Sequence, residues 1–160
     1  MTPFVSDVVD KLRAALGDAV STNAAELEAA RSDKSGQRTE HPPLAVITAR
    51  SVEQVQAALG IAHEHSVPVV PRGAGSGLTG GAMASHGQLV LSTAAMTRVL
   101  EINEADQLAV VEPGIVNAEL NRLLEPRGLR WAPDPASREI STVAETSPPT
   151  PAGCCAPSTA

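Results

Sequence analysis

The stretch Pro71-Arg72-Gly73-Ala74-Gly75-Ser76-Gly77-Leu78-Thr79-Gly80-Gly81 concentrates the chemistry that this 160-residue sequence offers. Five of its eleven residues are glycine. Glycine reaches positive φ at little cost and lets another group come close to the main chain. Such a loop can turn several N–H groups toward one point, and that concavity suits an anion, a phosphate or pyrophosphate most of all. Arg72 is the only cation in the stretch. The alternative is a flexible surface turn, although a simple turn uses one or two glycines rather than five. Gly75 to Gly80 also spells G-x-G-x-x-G, a weak signal by itself. That fingerprint requires a helix opening inside the loop, so that the helix N-terminus meets the pyrophosphate. Here the loop runs into Gly81-Ala82-Met83-Ala84-Ser85-His86-Gly87, too short and too glycine-bounded for that helix. A nicotinamide site is disfavoured, and no Lys follows the glycines as a Walker loop requires.

A strand and a helix must position this loop. Val67-Pro68-Val69-Val70 reads as a short buried strand feeding it, and Leu44-Ala45-Val46-Ile47 as an earlier strand. Between them Ser51-Val52-Glu53-Gln54 opens a helix as a capping box, with Val52, Val55, Leu59 and Ala62 on one face. His63 and His65 fall in its last turn; two residues apart, they share no helix face and read as helix-end residues, not metal ligands. The strand–helix–strand run is a βαβ unit, with the loop at a strand's carboxyl end, where such sheets bind ligands. Upstream, Val5, Val8, Val9, Leu12, Ala15 and Leu16 mark a helix from an N-cap at Ser6 to a stop at Gly17. Asn23 with Glu26 opens a weaker one, and polar residues 31–41 connect onward. Downstream come a strand at Leu89-Val90-Leu91, then a hairpin from Arg98 to Val111 around Asn103-Glu104-Ala105-Asp106. A helix follows through Val116, Leu120, Leu123 and Leu124, stopping at Gly128. Pro133 and Pro135 then stiffen a loop.

Composition narrows the class. The apolar fraction is 42%, ordinary for a globular chain, yet Phe4 and Trp131 are the only aromatics, so the core is aliphatic. A net charge of −6 without a Lys/Arg cluster gives nucleic acid no electrostatic reason to bind. No run is apolar enough to span a membrane, and the N-terminus lacks a signal-peptide pattern, so the expected compartment is the cytoplasm. Adjacent Cys154 and Cys155 rarely make a structural disulfide, and no metal-spaced partner accompanies them.

The order PLAVITARSVEQVQAALGIAHEHSVPVVPRGAGSGLTGGA, LVLSTAAMTRVLEI, VVEPG and WAPDPAS resembles the FAD-binding domain shared by vanillyl-alcohol oxidase, p-cresol methylhydroxylase and the D-2-hydroxyacid dehydrogenases. Within that family the likeness is strongest to the D subunit of glycolate oxidase and FAD-linked D-lactate dehydrogenase, over about Asp33 to Val143. The resemblance implies an α+β fold: the N-terminal part of a two-subdomain FAD-binding domain, a βαβ subdomain followed by an incomplete antiparallel-sheet subdomain. It implies FAD held at its pyrophosphate by Arg72, Gly73, Ala74, Gly75, Ser76, Gly77, Leu78, Gly80 and Gly81. Pro133, Asp134, Ser137, Ser141 and Thr142 would line a second FAD segment. Some relatives tether the flavin through a His in this loop; Ser76 stands there, which implies non-covalent FAD. By the residues alone, Asp134 is a turn former between prolines, Ser137 and Ser141 are simple caps, Trp131 is a packed loop residue, and His86 beside Gly87 marks a surface turn. In an intact relative the partners would be a small hydroxy-acid substrate and electron-transfer subunits. A non-catalytic phosphate- or nucleotide-binding module is the competing reading.

The expected domains are an N-terminal helical segment and linker (1–43), an incomplete FAD-binding domain (44–143) and a disordered tail (144–160). After Val143, relatives continue with a segment like GGNIATNAGGLLCAKYG, further strands and a cap domain carrying the substrate pocket, a catalytic His and often a metal site. Codons can be chosen for that segment such that loss of one base converts it into AETSPPTPAGCCAPSTA, which is Ala144 to Ala160. The tail is therefore expected to be an out-of-frame extension, through a base lost from the gene or from its sequence. With four prolines and no large apolar residue it has little to bury against its ordering entropy. Val99, Leu108, Val110 and Leu120 are expected to lack covering layers, leaving the isolated chain inactive and a poor FAD holder.

Overall fold

In the computed structural model, which describes residues 3–146, Val8, Val9, Leu12 and Leu16 form the buried stripe of α1 (Pro3–Leu16). The helix opens at Pro3, not at a Ser6 cap; proline suits a first turn because no N–H is needed there. Gly17, at φ +58°, ends it. The chain then makes β1 (Val20–Ser21), a strand too short to leave a sequence pattern. α2 (Ala24–Ala29) follows, capped by the Asn23 side chain, which accepts the Ala25 N–H at 2.9 Å.

β2 (Ala45–Thr48), β3 (Val69–Arg72) and β4 (Leu89–Ser92) are parallel, and the sheet runs β1-β2-β4-β3 with β1 antiparallel at one edge. β4 thus sits between the two strands of the βαβ unit, and all four of its residues are buried. Alternation splits the core between the two faces. Ala45, Ile47, Leu89 and Leu91 join α1 and α3 (Val52–Glu64) on one side. Val46 and Val90 meet Ala30 and Ala84 on the other. The expected strand at Val67–Val70 is shifted to Val69–Arg72. Pro71 is tolerated inside it because β3 is an edge strand and needs no donor on its outer side.

The Ser51 hydroxyl accepts the Gln54 N–H at 3.4 Å, and the Gln54 side-chain Oε1 accepts from the Arg50 N–H at 2.8 Å. The buried face of α3 is carried by Ala58 and Ala62, whereas Val52 and Leu59 are exposed. Val55, Ala57 and Ile61 pack, partly buried, against the same core.

The second subdomain holds the hairpin β5 (Val99–Asn103) and β6 (Leu108–Val111), then α4 (Asn117–Leu124) and the short turn α5 (Val143–Thr146). Ile115, Leu120, Leu124 and Val143 form its buried centre, flanked by Val99, Ile102, Ala109, Val111, Leu129 and Trp131. Val99 and Leu120, expected to lack cover, are therefore packed, because the hairpin turns one face onto α4. The opposite face is open: Leu100, Leu108 and Val110 are 58%, 48% and 40% exposed. Where the subdomains join, a Cβ on Gly114 would collide with the main-chain oxygen of Thr93 and lie 2.8 Å from that of Met96. Beside this junction the buried Glu112 carboxylate accepts from the Arg98 N–H and, at 2.9 and 2.7 Å, from its guanidinium.

Candidate functional site

Arg72, the last residue of β3, anchors the glycine loop. Its Nη1 donates to the carbonyls of Ser32 at 3.0 Å and Ala82 at 2.8 Å, tying the loop's end to the 31–41 connection. The guanidinium fills the space where a Cβ on Gly75 would lie, and Gly75 is buried at φ +72°. Glycine is thus favoured at Gly75 by its backbone conformation, and any Cβ there would also have to displace the Arg72 head group. Gly73 is required by close approach: a Cβ there would meet Thr142 Oγ1 at 2.5 Å and Glu145 Cγ and Cδ at 2.9 Å. Gly77 and Gly81 face open space, and Leu78 is 75% exposed. Ala74 is exposed, while Ser76 and Gly80 are half-buried.

The loop makes the concavity that its composition predicts, and an anion sits in it. The N–H groups of Gly75 and Ser76 both donate to Glu145 Oε1, at 2.8 and 3.1 Å. The Ser76 hydroxyl donates to Oε2 at 3.0 Å, and the Thr142 N–H donates to the same oxygen at 3.1 Å. Burial pushes the Glu145 carboxyl upward, but hydrogen bonds from Thr142, Ser76 and Gly75 outweigh it and hold the group below the usual carboxylate range. Main-chain N–H groups stabilising a negative charge are what a phosphate site requires.

Glu145 and Thr142 are also a capping box: the side chain three residues into the turn returns to the N–H of its first residue. Thr142-Val143-Ala144-Glu145 spells that signature, the signal by which Glu145 was legible. Ala144, Glu145 and Thr146, assigned from sequence to the tail, thus complete the α5 turn. The Cys154-Cys155 pair and the rest of the tail lie outside the described residues.

Thr142 comes against the loop at Gly73; Ser141 and the proline segment are held elsewhere. Asn117, fully buried at the start of α4, donates from Nδ2 to the Ser141 carbonyl and hydroxyl, both at 2.9 Å. Its Oδ1 accepts from Trp131 Nε1 at 2.8 Å and from the Thr146 hydroxyl at 2.9 Å. Asn117 therefore fixes three segments at once, a role that no spacing in the sequence announces. Trp131 is packed against α4, as a loop residue. Asp134 forms exposed ion pairs with Arg130 and Arg138. Ser137 accepts the Ile140 and Ser141 N–H groups through its carbonyl, and Pro133 is half-buried. At the carboxyl ends of β2, β3 and β4, a cleft of about 170 Å³ opens between Arg72, Thr48, Ser92, the α2 residues Glu26 and Ala29, and Ala30, which caps α2.

Residues 43–144 match the model of a family described as the FAD binding domain. The chain belongs to that family. Its cofactor is FAD, and the anion-holding loop falls inside the matched segment. The chain is similar to the glycolate oxidase subunit GlcD of Bacillus subtilis, with 43% identity over 101 residues covering 63% of this chain and 22% of that protein. It is 36% identical over 148 residues to a probable mitochondrial D-lactate dehydrogenase of Danio rerio, covering 91% of this chain and 30% of that one. Among solved structures, p-cresol methylhydroxylase superposes with TM-score 0.69 at 28% identity, over 81% of this chain and 26% of that one. An alkyldihydroxyacetonephosphate synthase superposes with TM-score 0.77 at 25% identity, over 86% and 28%. The chain spans between about a fifth and a third of the length of these relatives. No helix among the described residues is long and apolar enough to cross a membrane.

Proposed function

We propose that this chain is the pyrophosphate-gripping part of a flavin-linked oxidase or dehydrogenase of small 2-hydroxy acids. The observation that carries the proposal is the carboxylate seated on the Gly75 and Ser76 N–H groups. It supports the reading of the loop as a nest suited to negative charge, in a family whose cofactor contains a pyrophosphate. When bound, FAD supplies a hydride acceptor. The residues of this chain grip and orient it: Gly75 and Ser76 through N–H groups, Ser76 through its hydroxyl, and Arg72 by fixing the loop. Ser76 offers no imidazole for a covalent tether, so the flavin is held non-covalently and acid precipitation releases all of it. At about 170 Å³ the cleft beside Arg72 is smaller than the roughly 300–1,000 Å³ of enclosing sites, so it would not by itself enclose the cofactor. Substrate contacts and any electron-transfer partner belong to parts of the relatives that this chain does not span, and the setting is the cytoplasm.

The competing reading is a phosphate- or nucleotide-binding module without catalysis, favoured by a site made of main-chain donors. Calorimetric titration with FAD, ADP and riboflavin tests the proposal. FAD and ADP binding well above riboflavin supports a pyrophosphate grip, and riboflavin binding as tightly as FAD refutes it. Turnover of glycolate or D-lactate with a dye by a chain extended to the relatives' length separates the oxidoreductase from the module.

A further inference from the structure

We infer that the chain blocks its own anion site: the Glu145 carboxylate occupies the N–H groups of Gly75 and Ser76 that a pyrophosphate needs, so ligand binding requires the α5 turn to release it. The inference rests on the pyrophosphate reading of the loop and deepens it. Three observations carry it. The carboxylate takes both loop N–H groups with one oxygen and the Ser76 hydroxyl with the other. Its Cγ and Cδ also fill the space over Gly73, within 2.9 Å of where a side chain would begin, so a bulky phosphate cannot share that space. Finally, the Thr142 N–H donates to the same Oε2 at 3.1 Å, so the carboxylate is tied to its own turn and to the loop at once.

The turn that carries Glu145 is short, four residues from Val143 to Thr146, and is held by Asn117 through the Thr146 hydroxyl and by the capping bond to Thr142. Val143 is buried in the core of the second subdomain and its N–H donates to the Ile115 carbonyl, so release is a movement of the Glu145 side chain that breaks its own few hydrogen bonds and leaves Val143 in place. The charged groups nearest the loop are Arg72, whose guanidinium occupies the space over Gly75, and Asp33, which interacts with Arg72 and accepts the Ala82 N–H, while Glu145 itself is held by hydrogen bonds from Thr142, Ser76 and Gly75. Because the carboxyl lies below its ordinary range, the plug is in place above the usual glutamate value and is lost as pH falls through the depressed one. A phosphodiester stays charged across that window, so its competition with Glu145 improves on acidification.

The test uses the whole chain, isotopically labelled, as the parent, Glu145→Gln and Glu145→Ala. Gln retains the capping-box geometry, so a loss of fold in the Ala variant leaves the comparison intact. First, the Gly75 and Ser76 amide resonances are followed from about pH 7 to pH 3. The parent should show a shared titration below the ordinary glutamate value that disappears in Glu145→Gln. Second, inorganic pyrophosphate, ADP and FAD are titrated into each. Displacing a charged hydrogen-bond acceptor from an occupied site should tighten pyrophosphate binding about tenfold or more in Glu145→Gln. Tighter pyrophosphate binding without FAD binding upholds the plug and removes the FAD reading. Equal FAD affinity in parent and variants, with amide shifts at Gly75, upholds the FAD reading and overturns the plug. Absence of the amide titration in the parent also overturns it.

Discussion

Replacing Asn117 by Ala should cost the second subdomain about 2–5 kcal/mol. Asn117 is fully buried and bridges Ser141, Trp131 and Thr146. Without its amide the Ser141 hydroxyl, 1% exposed, loses its partner, a penalty of roughly 1–3 kcal/mol. The Ser141 carbonyl keeps the Asn117 main-chain N–H at 3.1 Å, so it adds little. Trp131 Nε1 and the Thr146 hydroxyl belong to half-buried residues that water can reach, and each adds about 0.5–1 kcal/mol. Against a total domain stability of about 5–15 kcal/mol the loss is large. Trp131 is the only tryptophan, so its fluorescence reports this subdomain alone during urea unfolding. With a slope of about 2 kcal/mol per molar urea, the midpoint should fall by about 1–2.5 M. Asn121→Ala is the internal control: its two bonds to the Trp131 main chain are half-buried, and its loss should cost only about 1 kcal/mol. An Asn117→Ala midpoint within about 0.3 M of the parent, or a cost below that of Asn121→Ala, would refute this accounting.

Gly114→Ala should destabilise by about 3 kcal/mol or more in a thermal melt, because its Cβ collides with the main chain at Thr93 and Met96, whereas Gly77→Ala, facing open space, should change little. Leu120→Ala should cost about 2–5 kcal/mol and Leu108→Ala under about 1, since the first is buried and the second lies on the open hairpin face; equal costs would contradict the packing. On acidification, stability should be lost, not gained. Glu112, held low first by the Arg98 guanidinium, and Glu145 both have depressed folded values, so their contribution is complete above the ordinary value of about 4.3 and disappears as pH falls through the depressed ones. A urea midpoint that rises from pH 5 to pH 3 would contradict that sign.

Local signals announced the elements whose cause is local. Asn23 and Ser51 cap their helices through their own side chains, and Gly17 and Gly128 end theirs at φ +58° and +68°. Asn103 accepts the Asp106 N–H inside the hairpin turn, where a polar tetrad between aliphatic runs foretells it. The misses have non-local causes. β1 exists only because β2 offers it an edge. Pro71 lies within β3 because that strand is at the sheet's border, which depends on where β4 inserts. In the site, glycine density announced an anion nest, and the structure adds which glycines matter: Gly73 for close approach and Gly75 for conformation. Asn117 and the Glu112–Arg98 pair carry no sequence signature because their partners are brought together by the fold. Glu145 did carry one, a capping box, but that pattern speaks of a helix start and says nothing of the loop 69 residues earlier that it fills.

A grip on FAD by the main-chain N–H groups of Gly75 and Ser76 is tested most directly by Gly75→Val, titrated with FAD in the parent and in the Glu145→Gln background. Val resists φ +72° and displaces the Arg72 guanidinium, so both N–H groups turn away. Two charge-assisted hydrogen bonds at roughly 1.5 kcal/mol or more each correspond to a loss of at least about 100-fold in affinity. Trp131 fluorescence and circular dichroism should stay as in the parent. Undiminished FAD affinity in a folded Gly75→Val chain would contradict the grip.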